Sequence, residues 1–127
     1  MRLVGGAFLR AFPLGVLNIH PSLLPSFPGL HAVRQALHHG AKLSGCTVHL
    51  VDEGTDTGPI LAQAAVPVLD ADTEESLGAR IQSEEHRLYP LAVRLLVTGA
   101  VQRTGRRVGG GAAPEATGLS LLNPGLG

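Results

Sequence analysis

The sequence predicts an α/β fold, an open sheet with flanking helices. Three observations carry that reading. The apolar stretch of residues 14–20 ends in Asn18-Ile19-His20-Pro21 and has the composition of a buried strand stopped by a proline. Two further runs, residues 46–51 and 60–69, carry strand composition and are separated by a turn-rich loop. Apolar residues recur at helical spacing in residues 30–39 and again in residues 72–99.

In chain order, residues 6–12 read as a short helix whose end is marked by Pro13. The strand of residues 14–20 follows. Leu30, Val33, Ala36 and Leu37 trace a helix face, and Gly40 is a natural residue just past its end. The loop of residues 52–59 is short enough for its two flanking strands to pair antiparallel. Asp72 with Glu75 is a helix start of capping-box type. Leu77, Ile81, Leu88, Ala92 and Leu95 form the apolar stripe of a long helix that Pro90 should kink or divide. Beyond Gly99, glycines and prolines dominate and show no packable pattern. Residues 100–127 are therefore expected to form a mobile tail after a domain of residues 1–99.

Composition narrows the function classes. Ten basic and ten acidic residues cancel, so no electrostatic footprint for nucleic acid or an anionic membrane is expected. Aromatic residues make up only 3%, too few for a platform that stacks single-stranded bases. No apolar run approaches membrane length. The one cysteine, Cys46, fits a reducing, cytoplasmic setting and reads as a small core residue. By length the chain makes one domain.

Chemistry-bearing residues gather around the first strand. Asn18 and His20 are two apart and leave the same strand face, at the rim where open α/β sheets place ligands. Asp56 lies in a loop where Gly54 and Gly58 allow close backbone approach. A set of His20, His49 and Asp56 is a rival zinc site, although the chain lacks closely paired His or Cys of metal-ligand spacing. His38 and His39 read as a solvated helix end, and His31 and His49 as structural histidines.

The stretch NIHPSLLPSFPG of residues 18–29, with VDEGTDTGPI of residues 51–60, resembles the folate-dependent formyltransferases. The resemblance runs over residues 1–99, with several separated motifs in the family's order. It implies a formyltransferase-type, Rossmann-like open sheet. Full-length members open with a strand and a Gly/Ser-rich phosphate loop that nothing here matches, so the amino-terminal half is expected to be missing. Pro21-Ser22-Leu23-Leu24-Pro25 is similar to the branch that serves purine biosynthesis. That branch transfers formyl from 10-formyltetrahydrofolate to the amine of glycinamide ribonucleotide, with no metal. Alternatives are a formyltetrahydrofolate deformylase, a methionyl-tRNA formyltransferase relative, or an inactive truncated remnant that keeps the folate pocket.

The resemblance implies Asn18, His20 and Asp56 as catalytic residues. It places Met1, Arg2, Leu3, Val4, Asn18, Asp52, Glu53, Gly54, Thr55 and Asp56 around the folate, and Gln82, Ser83, Glu84 and Glu85 near the ribonucleotide. Gln82 and Glu85 share a helix face, where a carboxylate suits the substrate amine. The chemistry fits these residue types. An amide N–H stabilises oxygen charge as an amine attacks the formyl carbon. An imidazole moves protons near neutral pH, and an adjacent carboxylate favours its charged form.

Overall fold

The computed structural model describes residues 17–52, 54 and 56–127. The expected helix of residues 6–12, the start of the first strand, and the folate-lining residues Met1, Arg2, Leu3, Val4, Glu53 and Thr55 lie outside them.

Strands β1 (Leu17–His20), β2 (Leu43–Leu50) and β3 (Ile60–Pro67) form an antiparallel sheet, and β2 and β3 pair as the short loop between them allows. Asn18 stands opposite His49, and His20 opposite Thr47. Thr47 in turn stands opposite Gln63, with a register shift between Val48 and His49. Cross-strand partners share a sheet face, so one face of β1–β2–β3 collects Asn18, His20, His49, Thr47 and Gln63. The other face presents Cys46, Val48, Ala62, Ala64 and Val66 to the core. The period of two in the strands thus sorts polar side chains from apolar ones.

Helix α1 (Ala32–His38) buries Ala32 and Ala36, and Leu30, expected on its apolar face, is exposed. Helix α2 (Glu74–Val97) covers the apolar sheet face with Leu77, Ile81, Leu88, Leu91, Ala92 and Leu95. Fully burying such a side chain contributes about 1.5–3 kcal/mol. The helix passes through Pro90 without dividing. Its cap falls one residue later than the sequence suggests. Thr73 is the N-cap and exchanges bonds with Ser76, whereas Asp72 accepts from the Leu69 N–H and from both ends of the Arg80 guanidinium. Arg80 holds the Asp72 carboxyl well below the usual carboxylate range, and the Leu69 N–H adds to this.

The expectation of an unpackable stretch beyond Gly99 is corrected. That stretch forms β4 (Val101–Thr104), β5 (Arg107–Gly110), β6 (Glu115–Thr117) and β7 (Ser120–Asn123), two hairpins in sequence. β7 pairs with β3, Leu122 against Ala64, and Leu122 is fully buried in the core. β5 meets β3 in parallel at Ile60 and Arg107. The glycines are turn chemistry here: Gly105 and Gly118 sit at φ 63° and 60°, left-handed positions that favour glycine. Strands of three or four residues are too short to show a period, so composition alone misreads them.

Candidate active site

The loop after β1 folds back over its own end. Pro21 stops the strand, and Phe27 adopts φ 52°, which turns its carbonyl toward the His20 ring. Nε2 of His20 lies 2.9 Å from that carbonyl oxygen. A carbonyl only accepts, so Nε2 is the donor and carries a proton. The other ring nitrogen, Nδ1, lies 3.3 Å from Asp56 Oδ2. His20 is 2% exposed and the Asp56 side chain 8%, so this pair meets largely away from water.

Asp56 reaches the pair from the loop of residues 52–59, whose shape is fixed by tight local contacts. Asp52 Oδ1 accepts from the Gly54 N–H and the Thr57 hydroxyl, each at 2.8 Å. Gly58 packs so close beneath Leu50 that a Cβ there would lie 1.5 Å from the Leu50 carbonyl oxygen. Arg106, at the β4–β5 turn, donates to the Thr57 carbonyl. Asp56 itself holds φ 55°, an uncommon conformation for a residue with a side chain. Strain of that kind gathers at functional sites. Its Oδ2 also accepts the Gly29 N–H at 2.9 Å, which ties the two loops together.

A second imidazole completes the cluster. His49 Nε2 lies 3.6 Å from Asp56 Oδ1, while its Nδ1 lies 3.2 Å from the Leu50 carbonyl. His49 is buried, and its Nε2 has no hydrogen-bond partner among the described residues. That nitrogen faces the Asp56 carboxylate from the side opposite His20. The sequence favours a structural histidine here and groups His49 with His20 and Asp56 only as a rival zinc set. β2 periodicity alone does not reveal this placement, because the pairing of His49 with Asn18 depends on strand register. Asn18 is buried on the same face; its Oδ1 accepts the Ile19 N–H at 3.0 Å, so the carboxamide N–H2 end remains to donate. The carboxylate and ring nitrogens of His20, His49 and Asp56 face one another. Among the described residues no group of three metal-ligating side chains could hold a metal ion.

The four residues expected on α2 diverge. Gln82 and Ser83 are exposed, and Ser83 Oγ bonds back to the Ala79 carbonyl. Glu84 is buried and engaged by Arg87 and by Ser120 Oγ at 2.9 Å, which pins α2 to β7. Its carboxylate is consumed internally. Glu85 is half-buried, and its carboxyl is pushed up by burial, an effect opposed by His86 and His20. Of the four, Glu85 is the one whose charge feels the His20 cluster. Cys46 lies behind it in the core, its thiol pushed up to about 12 by burial first and then by Glu85 and Glu84. At that value the nucleophilic thiolate is scarcely populated.

Residues 1–93 match the formyl transferase family model. The chain is 57% identical over 106 residues to a phosphoribosylglycinamide formyltransferase of Mycobacterium tuberculosis, covering 84% of this chain and 49% of that protein. The crystal structure of glycinamide ribonucleotide transformylase 1 from Symbiobacterium toebii is 63% identical with a TM-score of 0.78, over 85% of this chain and 51% of that one. A formyltetrahydrofolate deformylase from Pseudomonas syringae superposes with a TM-score of 0.79 at 31% identity, over 87% of this chain and 37% of that one. The chain thus spans about half the length of the curated relatives it matches.

Proposed function

Because the chain belongs to the formyl transferase family, we propose that it carries the reacting centre of an enzyme that moves a formyl group from 10-formyltetrahydrofolate to the amine of glycinamide ribonucleotide, in purine biosynthesis. The observation that carries this reading is the convergence of Asn18, His20 and Asp56 at one rim of the polar sheet face. The names of the relatives support the choice of acceptor, and the geometry supports the roles proposed below.

Asn18 directs its N–H2 end toward the formyl oxygen and stabilises charge as it grows there. His20 moves the proton that the attacking amine must lose and the leaving folate nitrogen must gain. Its Nε2 is committed to the Phe27 carbonyl, so that traffic passes on the Nδ1 side, where Asp56 stands. Asp56 orients the ring and offsets its charge. The tight turn at Asp52 and Gly54, in the loop that carries Asp56 to the His20 ring, supports placing the folate against this loop. The folate-lining roles of Met1, Arg2, Leu3, Val4, Glu53 and Thr55 are part of the same proposal. Glu85 holds the substrate amine as a carboxylate partner. Gln82 and Ser83 flank it from the exposed side of α2. The cytoplasm is the proposed setting, in keeping with a single, buried, free cysteine.

The test compares His20→Ala and Asp56→Asn with the wild-type protein, measuring formyl transfer and folate-analogue binding in parallel. Loss of general acid–base help costs about 10²–10⁴ in rate, and analogue binding should stay within a few-fold. Variants that transfer formyl at the wild-type rate would overturn the assignment.

A further inference from the structure

The Pro21–Gly29 loop that supplies His20 with its partner is itself held from below by one buried hydroxyl. Thr47, directly across the ladder from His20, is fully buried. Its Oγ1 donates to the Ser22 carbonyl at 2.7 Å and accepts from the Leu24 N–H at 3.0 Å. Gln63 Nε2, on the neighbouring strand, donates to the same Oγ1 and to the Leu24 carbonyl, both at 3.0 Å. One hydroxyl thereby uses its donor and both lone pairs. Ser22 in turn sends its own hydroxyl to the Ser26 carbonyl at 2.6 Å, with the Phe27 carbonyl at 3.3 Å. The Phe27 carbonyl is the group that meets His20 Nε2.

From this connected set we infer that Thr47 is a positioning residue: its hydroxyl, braced by Gln63, fixes the loop whose Phe27 carbonyl holds the His20 ring. The bond it secures decides which nitrogen faces Asp56. With Nε2–H tied to Phe27, Nδ1 is presented to the carboxylate; with that bond loose, the ring is free to turn and present either nitrogen. The reason His20 must be held rests on the formyl-transfer reading, but the clamp is a statement about the ring alone. A valine of the same shape keeps the packing and removes all three hydrogen bonds, whereas a serine keeps them.

The readout is the imidazole N–H proton of His20, observed by nuclear magnetic resonance in nitrogen-15-labelled protein. In the wild type the Nε2–H should be protected from exchange with water. In Thr47→Val its exchange should be roughly tenfold faster or more, because the bond opens locally, with circular dichroism unchanged. Thr47→Ser should restore protection. Should Thr47→Val fail to fold, Gln63→Met at its half-buried position removes the brace, and it too should speed exchange. The inference is overturned by an unprotected His20 Nε2–H in the wild type, by full protection in Thr47→Val or Gln63→Met, or by a Thr47→Ser protein no better protected than the valine variant. A Thr47→Val protein that loses protection yet transfers formyl at the wild-type rate upholds the clamp and shows that transfer does not depend on a fixed ring; only His20→Ala tests the proton carrier itself.

Discussion

His20, Asp56 and His49 form a sandwich in which one carboxylate faces two imidazoles, and the sandwich can be taken apart residue by residue. Asp56→Asn keeps an oxygen for the Gly29 N–H but removes the charge between the rings. If His20 and Asp56 work as one proton-moving unit, the double variant His20→Ala/Asp56→Asn should be no slower than the worse single variant, since residues acting together are not additive. A double variant far slower than either would separate their roles. Glu85 makes a prediction of opposite sign. Burial raises its carboxyl, so its protonated form is favoured in the fold. The associated stability is fully present below the unfolded carboxylate value of about 4.3 and is lost as pH rises through the folded value. Glu85→Gln should therefore raise the Tm by a few degrees at pH 7 while weakening the grip on the amine. The gain should vanish on titrating to pH 4. A Tm at pH 7 that falls on substitution would contradict a buried, costly carboxylate. The convergence of Asn18, His20 and Asp56 was legible in the sequence, because their motifs are local and punctuated by proline and glycine and the family resemblance groups them. Thr47 and Gln63 were not, because they enter the site through cross-strand register, and His49, grouped with His20 and Asp56 only as a rival zinc set, reaches them through its pairing with Asn18.

The elements follow their local chemistry closely where that chemistry is strong. The apolar stripe of α2 was readable, yet its cap lay one residue on, because Asp72 is drawn off by Arg80 and the Leu69 N–H and leaves Thr73 to cap. The loop of residues 52–59 was readable as a turn but not as a strained one. Gly58→Ala tests how far that strain matters. Its Cβ has nowhere to go except into the Leu50 carbonyl, so the loop must shift. The variant should lose about 1–3 kcal/mol in urea unfolding. It should also lose formyl transfer beyond what stability explains, because Asp56 moves with the loop. Wild-type stability and rate would mean the loop is more yielding than its contacts indicate.

At the scale of the whole molecule, the last two hairpins are where composition misled most. A glycine-rich composition predicts little packed structure here, whereas β7 extends the sheet beside β3 and the Ser120 hydroxyl donates to the buried Glu84 carboxylate of α2. Leu122 joins the same core as Leu77 and Ile81. Leu122→Ala should cost about 2–5 kcal/mol, the range for a fully buried leucine, as measured by chemical denaturation. A loss under 0.5 kcal/mol, which is typical of surface sites, would mean that β7 is not seated as the structure has it. Core and site share this sheet, one on each face, so what the fold presents for chemistry is its polar face. Isotopically labelled formyl can be followed from 10-formyltetrahydrofolate in the presence of glycinamide ribonucleotide and the protein. Label should appear on the ribonucleotide amine, and none there with His20→Ala. Label released as formate at the same rate with or without the ribonucleotide, or transfer that survives His20→Ala, would contradict the proposed function.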